Sequence, residues 1–208
     1  MNNPKTRLVV FDLETTNPPE RDYKKHEIIE IAAIEIVENK LNTENAFYSL
    51  IKPPCKIQPH NYKVSGISNE MVKDAPVISE ILPGFLKFIG DSPLIAHNIA
   101  FDAKVFNENL TALDYNQLPN VLLCTFVLSK KLYPNEKSHG LSAVIERLGI
   151  KLDTKQQHRA LEDVEATAAI FIKFLEILKQ HRIITLEDID RLCNTDAEVK
   201  DFQQLKLF

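Results

Sequence analysis

The first strong pattern along the chain is Leu8-Val9-Val10-Phe11, four apolar residues in succession, followed by Asp12-Leu13-Glu14. A short apolar run of this kind predicts a buried strand over Arg7 to Glu14. Side chains of a strand alternate between faces, so Asp12 and Glu14 must project to the same side. Glu27 to Val37, rich in isoleucine, predicts a second strand and Ala46 to Ile51 a third. Joined through Glu38-Asn39-Lys40, these two read as an antiparallel hairpin.

Helical spacing takes over downstream. Ser68 is placed to cap a short helix that stops at Ala75, before Pro76. Ile78, Ile81, Leu82, Phe85 and Phe88 keep a helical period, with Pro83 either kinking that helix or marking its start. Leu94 to Ala96 reads as a short strand and Asp102 to Asn109 as a helix with Val105 and Phe106 inward. Asp102 then sits in the first turn of a helix that follows a strand, a favourable place for an anion. Val121 to Leu132 and Leu141 to Leu148 read as helices, the second closed by Gly149. Arg159 to Lys179 predicts a long helix with an inward stripe of Val164, Ala168, Phe171, Ile172 and Leu175. Asp163 lies in its first turns and His158 just before it. Strands followed by alternating strand and helix predict an α/β fold with a mixed sheet flanked by helices. After Lys179 the pattern turns polar, apart from a short helix from Leu186 to Leu192. The chain therefore divides into one domain over 1–180 and an appendage over 181–208.

Composition narrows the class. The chain has 208 residues, of which 44% are hydrophobic and 26% charged, enough for one globular domain with a full core. Cys55, Cys124 and Cys193 are scattered and lack Cys-x-x-Cys spacing, as expected of reduced thiols in a cytosolic protein. Met1 to Thr6 is polar and the apolar run after it is too short for a signal peptide. The longest apolar stretch, near Val121 to Leu128, is far below a membrane span. The expectation is a soluble, cytoplasmic protein with no membrane partner. A net charge of −4 advertises no basic field of the kind that coats duplex DNA and argues against a DNA-wrapping protein. It leaves room for an enzyme that grips one strand end, where metal ions supply the local positive charge.

The chemistry lies in three segments: Phe11-Asp12-Leu13-Glu14-Thr15-Thr16, His97-Asn98-Ile99-Ala100-Phe101-Asp102, and His158-Arg159-Ala160-Leu161-Glu162-Asp163. Each could be bland alone: Asp-x-Glu at a strand end is commonly a solvated pair, and an acid near a helix start is commonly a helix charge. Together they supply four carboxylates, which repel one another and raise one another's pKa unless a cation sits among them. Hard divalent ions prefer oxygen ligands, and Mg²⁺ is typically held by a few carboxylates plus substrate phosphate. Two such ions about 3.5–4 Å apart clamp the attacking and leaving oxygens of an in-line displacement at phosphorus. Asp12 is the candidate to bridge the ions, with Glu14 and Asp163 completing one site. Asp102 is the candidate for the other, directly or through water. His158, at the end of the polar stretch Asp153 to Gln157, is the candidate base.

These segments resemble the DEDD-type 3′–5′ exonucleases with a catalytic histidine, the group that includes the bacterial DNA polymerase III epsilon proofreading subunit and ribonuclease T. The resemblance runs from about Arg7 to Leu178. It rests on Phe-Asp-Leu-Glu-Thr-Thr, on Ala-His-Asn-x-x-Phe-Asp ending at Asp102, on His158-x4-Asp163, and on Gly66-Ile67 and Leu132-Tyr133-Pro134. It implies a ribonuclease-H-like sheet, two Mg²⁺ or Mn²⁺ ions, and release of nucleoside 5′-monophosphates from a 3′ end. Carried over residue by residue, Asp12, Glu14, Asp102 and Asp163 are metal ligands and His158 is the base. The Leu13 backbone and Thr15 approach the terminal nucleotide, Ile67 and Phe101 wedge or stack its base, and Asn98 hydrogen-bonds nearby. Stacking on an apolar wedge tolerates any sequence. Ser65 stands where the family commonly has histidine before Gly-Ile, implying a weaker contact to that nucleotide. Asn17 replaces a usual glycine, and Cys124 precedes Thr125 where an aspartate is frequent.

The last five residues, Gln204-Leu205-Lys206-Leu207-Phe208, look like a bacterial sliding-clamp-binding peptide. Leu205, Leu207 and Phe208 would fill an apolar pocket on the partner while Gln204 hydrogen-bonds at its rim. The leading expectation is a metal-dependent exonuclease on single-stranded or frayed DNA 3′ ends, associated with a DNA polymerase and the clamp. The alternatives are an RNA-trimming enzyme and a non-catalytic polymerase adaptor. The full set of acids argues against the adaptor, whereas sugar preference depends on pocket shape.

Overall fold

The computed structural model describes residues 7–16, 25–151 and 159–200. Three strands come first: β1 (Arg7–Thr15), β2 (Ile28–Val37) and β3 (Lys40–Leu50). Helices α1 (Pro59–Ser65), α2 (Asn69–Val72) and α3 (Ile78–Ile89) lead to strand β4 (Leu94–Ala96) and helix α4 (Ile99–Ala112). The rest comprises β5 (Leu122–Cys124), α5 (Thr125–Leu132), α6 (Leu141–Leu148), α7 (Ala160–Gln180) and α8 (Leu186–Asn194). The strands form one mixed sheet in the order β3-β2-β1-β4-β5, with β1, β2 and β3 antiparallel and β4 and β5 parallel to β1.

The period of two in β1 divides the core. Leu8 and Val10 face one layer, with Ala32, Ile34 and Ile36 of β2 and with Val164, Ala168, Phe171 and Phe174 of α7. Val9, Phe11 and Leu13 face the other, with Ile31 and Ala33 of β2 and with residues of α3 and α4 such as Phe85 and Phe106. Asp12 and Glu14 continue the Leu8–Val10 parity and therefore face α7. At the other end of β1, the Arg7 guanidinium pairs with Glu35 at 2.5 Å and donates to the Phe88 carbonyl at 2.7 Å. That contact ties the strand to the C-terminal end of α3.

The hairpin turn Glu38-Asn39 has φ of 53° and 60°, the paired positive values whose twist suits a two-residue connection. Strand β3 accordingly starts at Lys40, before the predicted Ala46. Ser68 caps α2 by accepting from the Met71 amide, and Pro83 lies inside an uninterrupted α3. Gly149 closes α6 with φ of 61°.

Two expectations change. Val121 to Leu132 is not one helix: Leu122, Leu123 and Cys124 pair with Leu94, Ile95 and Ala96 as β5, and α5 begins at Thr125. Three residues carry no period of their own, so pairing with β4 decides their conformation. The chain after Gln180 is also less of an appendage than its polarity predicts. Ile183, Ile189, Leu192 and Cys193 are buried in the same layer as α7. Among the described residues, no helix is long and apolar enough to cross a membrane.

Candidate active site

At its C-terminal end β1 delivers Asp12 opposite Ala32 and Glu14 opposite Glu30 of β2. Helix α7, packed over that face, brings Asp163 in its first turn. One carboxylate oxygen from each of Asp12, Glu14 and Asp163 lies within 4.8 Å of the others. Asp102 enters from the first turn of α4, which starts where the parallel strand β4 ends. It is buried, and the backbone amides of Leu13 and of Asp102 itself bond to its carboxylate. The residue before α4, Asn98, adopts a left-handed conformation with φ of 73°, which asparagine tolerates better than most residues.

Charge crowding dominates the electrostatics. Burial, then the charges of Asp102, Asp163, Glu14 and Glu30, push the Asp12 carboxyl well above the usual carboxylate range. Burial and the neighbouring Asp163, Glu30 and Asp102 push Glu14 up to about 8, against a lowering influence from Arg159. Burial raises Asp102 to about 7, although the two amides pull it back. Arg159 is committed to Glu30, which its guanidinium meets at 2.5 Å. Three oxygens within reach of one centre, a fourth acid coupled to them by charge, and raised pKa values are what a site for hard divalent ions requires. The donor set, carboxylate oxygens alone, fits a hard divalent ion.

The neighbouring positions divide. Phe101 is 38% exposed, and His26 makes an edge-to-face contact with it at 5.2 Å between ring centres. His26 is itself held by a hydrogen bond between Nδ1 and the Thr16 carbonyl oxygen, at 2.9 Å. This aromatic pair offers a surface on which a base can stack. Asn98 is exposed and Thr15 half-buried at the end of β1. Leu13 turns its side chain into the α3–α4 layer and presents its amide to Asp102.

Two assigned contacts are not supported by the placement of their side chains. Ile67 is fully buried with Ile29, Ile57 and Val72, leaving no face for a base to stack upon. Ser65 is also buried; its hydroxyl donates to the Asn61 carbonyl at 3.1 Å and accepts from the Ile67 amide at 3.2 Å. In both cases the end of α1 and the turn after it use the residue for their own packing. His158 and the tail residues Gln204, Leu205, Leu207 and Phe208 lie outside the described residues.

The pattern of residues did not single out Glu30, Arg159, Tyr48 or His26. A charge inside the apolar run Ile28-Ile29-Glu30-Ile31 was the available sign for the first. His97 is a structural member of its motif: Nδ1 hydrogen-bonds the Thr125 hydroxyl at 2.9 Å and burial lowers its pKa to about 4. It joins the end of β4 to the start of α5.

The RNase_T family, described as Exonuclease, matches residues 9–171. The DNA polymerase III subunit epsilon of Aquifex aeolicus is 38% identical over 171 residues, covering 82% of this chain and 81% of that protein. A PolC-type DNA polymerase III of Caldanaerobacter subterraneus is 38% identical over 194 residues, which are 93% of this chain and only 13% of the polymerase. The solved structure of Exonuclease X in complex with 5′ overhanging duplex DNA superposes with a TM-score of 0.72 at 25% identity. That match spans 90% of this chain and 99% of the other, and has the same mixed sheet flanked by helices. With Asp12, Glu14 and Asp163 gathered at the end of β1 and a family match across most of its length, this chain belongs to the RNase_T exonuclease family, and is a nuclease.

Proposed function

We infer that this protein is a 3′–5′ exonuclease that removes nucleoside 5′-monophosphates from single-stranded or frayed DNA ends during replication or repair. The observation that carries the reading is the convergence of Asp12, Glu14 and Asp163 oxygens within 4.8 Å of one another, with the charge of Asp102 acting on Asp12. Asp12, Glu14, Asp102 and Asp163 would hold two Mg²⁺ or Mn²⁺ ions, which when bound supply charge neutralisation and Lewis-acid activation for displacement at phosphorus. The chain's own groups do the rest. Phe101, backed by His26, stacks the terminal base; Thr15 and Asn98 contact the same nucleotide. His158 takes the proton of the attacking water on an imidazole nitrogen. Stacking tolerates every base, which suits digestion of any strand.

DNA is the favoured substrate because the polymerase relatives that match nearly the whole chain are DNA polymerase III components. The same relatives support association with a DNA polymerase, in the cytoplasm. The tail Gln204-Leu205-Lys206-Leu207-Phe208 supports docking on the sliding clamp. Tethering there raises the local concentration of enzyme at DNA without a basic surface. The test is purified protein with Mg²⁺ or Mn²⁺ on 5′-labelled DNA and RNA strands of one sequence. The expected result is stepwise shortening from the 3′ end, faster on DNA. Faster shortening of RNA would make it an RNA-trimming enzyme, and no cleavage of either would make it an adaptor.

A further inference from the structure

Glu30 is fully buried between Ile29 and Ile31 in an otherwise apolar stretch of β2, yet its carboxylate is fully engaged. Oε1 accepts from Arg159 Nη2 at 2.5 Å, from Arg159 Nε at 3.0 Å and from the Tyr48 hydroxyl at 2.7 Å. Oε2 accepts from the backbone N–H of Ala160 at 3.0 Å. Arg159 Nη2 also donates to the Tyr48 hydroxyl at 2.8 Å, which closes the ring of contacts. Strands β2 and β3 and the beginning of α7 are thus joined in one hydrogen-bonded unit.

The Ala160 bond gives that unit a direction. Ala160 is the first residue of α7, and its N–H is among those with no partner inside a helix. Arg159 precedes the helix without a capping side-chain bond of its own. Glu30 caps the helix from a neighbouring strand, with its negative charge at the positive end of the helix dipole. A buried ion pair adds little stability over a well-packed apolar pair, so stability alone does not account for one here. What it fixes is the place of the helix end. Asp163 is three residues inside that end, and His158 is one peptide bond outside Arg159.

We propose that Glu30, Arg159 and Tyr48 form a positioning device that sets the start of α7 against β2. Through it, Asp163 is placed opposite Asp12 and Glu14. Arg159 is a positioning residue rather than a catalytic one, since it acts through Asp163. The proposal rests on the reading of the acids as a metal-holding site.

The test measures Mn²⁺ binding by the full chain, from the paramagnetic resonance signal of free Mn²⁺, for wild type, Arg159→Ala, Arg159→Lys and Tyr48→Phe. Melting in EDTA is followed in parallel. Arg159→Ala should weaken Mn²⁺ binding by about 10–100-fold, the usual effect of removing a group that orients a ligand. Arg159→Lys keeps the charge but loses the planar fork, and should recover only a small part of that loss. Tyr48→Phe removes one hydrogen bond from the unit and should have the smallest effect. Variants that melt earlier in EDTA but bind Mn²⁺ like wild type would overturn the proposal and leave a purely structural clamp. Full recovery by Arg159→Lys would also overturn it, because charge and not position would then be the cause. Should Arg159→Ala fail to fold, Arg159→Lys and Tyr48→Phe decide by the same criteria. A wild type that binds no Mn²⁺ would contradict the metal-site reading itself and remove the ground for the proposal.

Discussion

Glu14 and Glu30 lie directly opposite one another on adjacent antiparallel strands, on the face covered by α7. Like charges at such positions destabilise a sheet. The structure treats them differently: Arg159 is spent on Glu30, whereas Glu14 is left facing Asp12 and Asp163. Three acids are therefore crowded together where a divalent ion would sit, and one strand further away Glu30 is already balanced by Arg159.

That asymmetry predicts a pH dependence. The folded-state pKa of Glu14 is about 8 against 4.5 for the free side chain, and that of Asp102 is about 7 against 3.8. Both are raised, so between the paired values the folded state binds more protons than the unfolded one. The stability they contribute is complete below the unfolded values and is lost as pH rises through about 7 to 8. In EDTA, the melting temperature should fall by several degrees between about pH 5 and about pH 9. Millimolar Mg²⁺ or Mn²⁺ should raise it at the alkaline end, because an ion that binds only the folded state stabilises it. Asp12→Asn should melt higher than wild type in EDTA and respond less to metal. Differential scanning fluorimetry checks this, and superimposable profiles with and without metal would refute it.

Phe101 is exposed and packs against His26, so its removal should act on substrate and spare the fold. Stacking of one base contributes about 1–3 kcal/mol. Phe101→Ala should raise KM for a single strand by about 5–150-fold, with little change in melting temperature. Steady-state kinetics on an unstructured strand measures this; an unchanged KM would remove Phe101 from the substrate surface.

The tail makes a separable prediction. Deleting Gln204 to Phe208 should abolish binding to the organism's sliding clamp while leaving hydrolysis of a short free strand unchanged. Titration of clamp with intact and shortened chains reads the first effect and a nuclease assay the second. Equal clamp binding by both chains, or none by either, would contradict the docking assignment.

His158 is assigned proton transfer, for which a positioned group typically accounts for about 10²–10⁴-fold in rate. His158→Ala should show that loss in single-turnover cleavage, together with loss of the acidic limb of the pH–rate profile. An unchanged rate would move the base elsewhere.

The strand carrying Asp12 and Glu14 was legible because four apolar residues precede them and a period of two fixes their side. Asp163 was legible because α7 has a long apolar stripe that can bury only one way. The short strand β5 was not, since Leu122-Leu123-Cys124 takes its conformation from β4. Nor was α1, which buries only Asn61 and Ser65 and so carries no apolar stripe. Ile67 shows the limit of residue type as a guide: an isoleucine after Gly66 could face a nucleotide or the protein, and Ile29, Ile57 and Val72 supply the surface that claims it. The Glu30–Arg159 pair spans 129 residues, and no local pattern announces a partner at that distance.

The most direct test of the central claim is single-turnover cleavage of a 5′-labelled DNA strand by wild type and Asp163→Asn, each titrated from EDTA to saturating Mn²⁺. Wild type should be inactive in EDTA, gain activity with metal, and shorten the strand from its 3′ end one nucleotide at a time. Asp163→Asn should remain slower by about 10³-fold or more at saturating metal, the scale of losing a main electrostatic contribution to the transition state. Cleavage by wild type in EDTA, or wild-type rates from Asp163→Asn, would contradict the assignment of these carboxylates to a metal-dependent exonuclease.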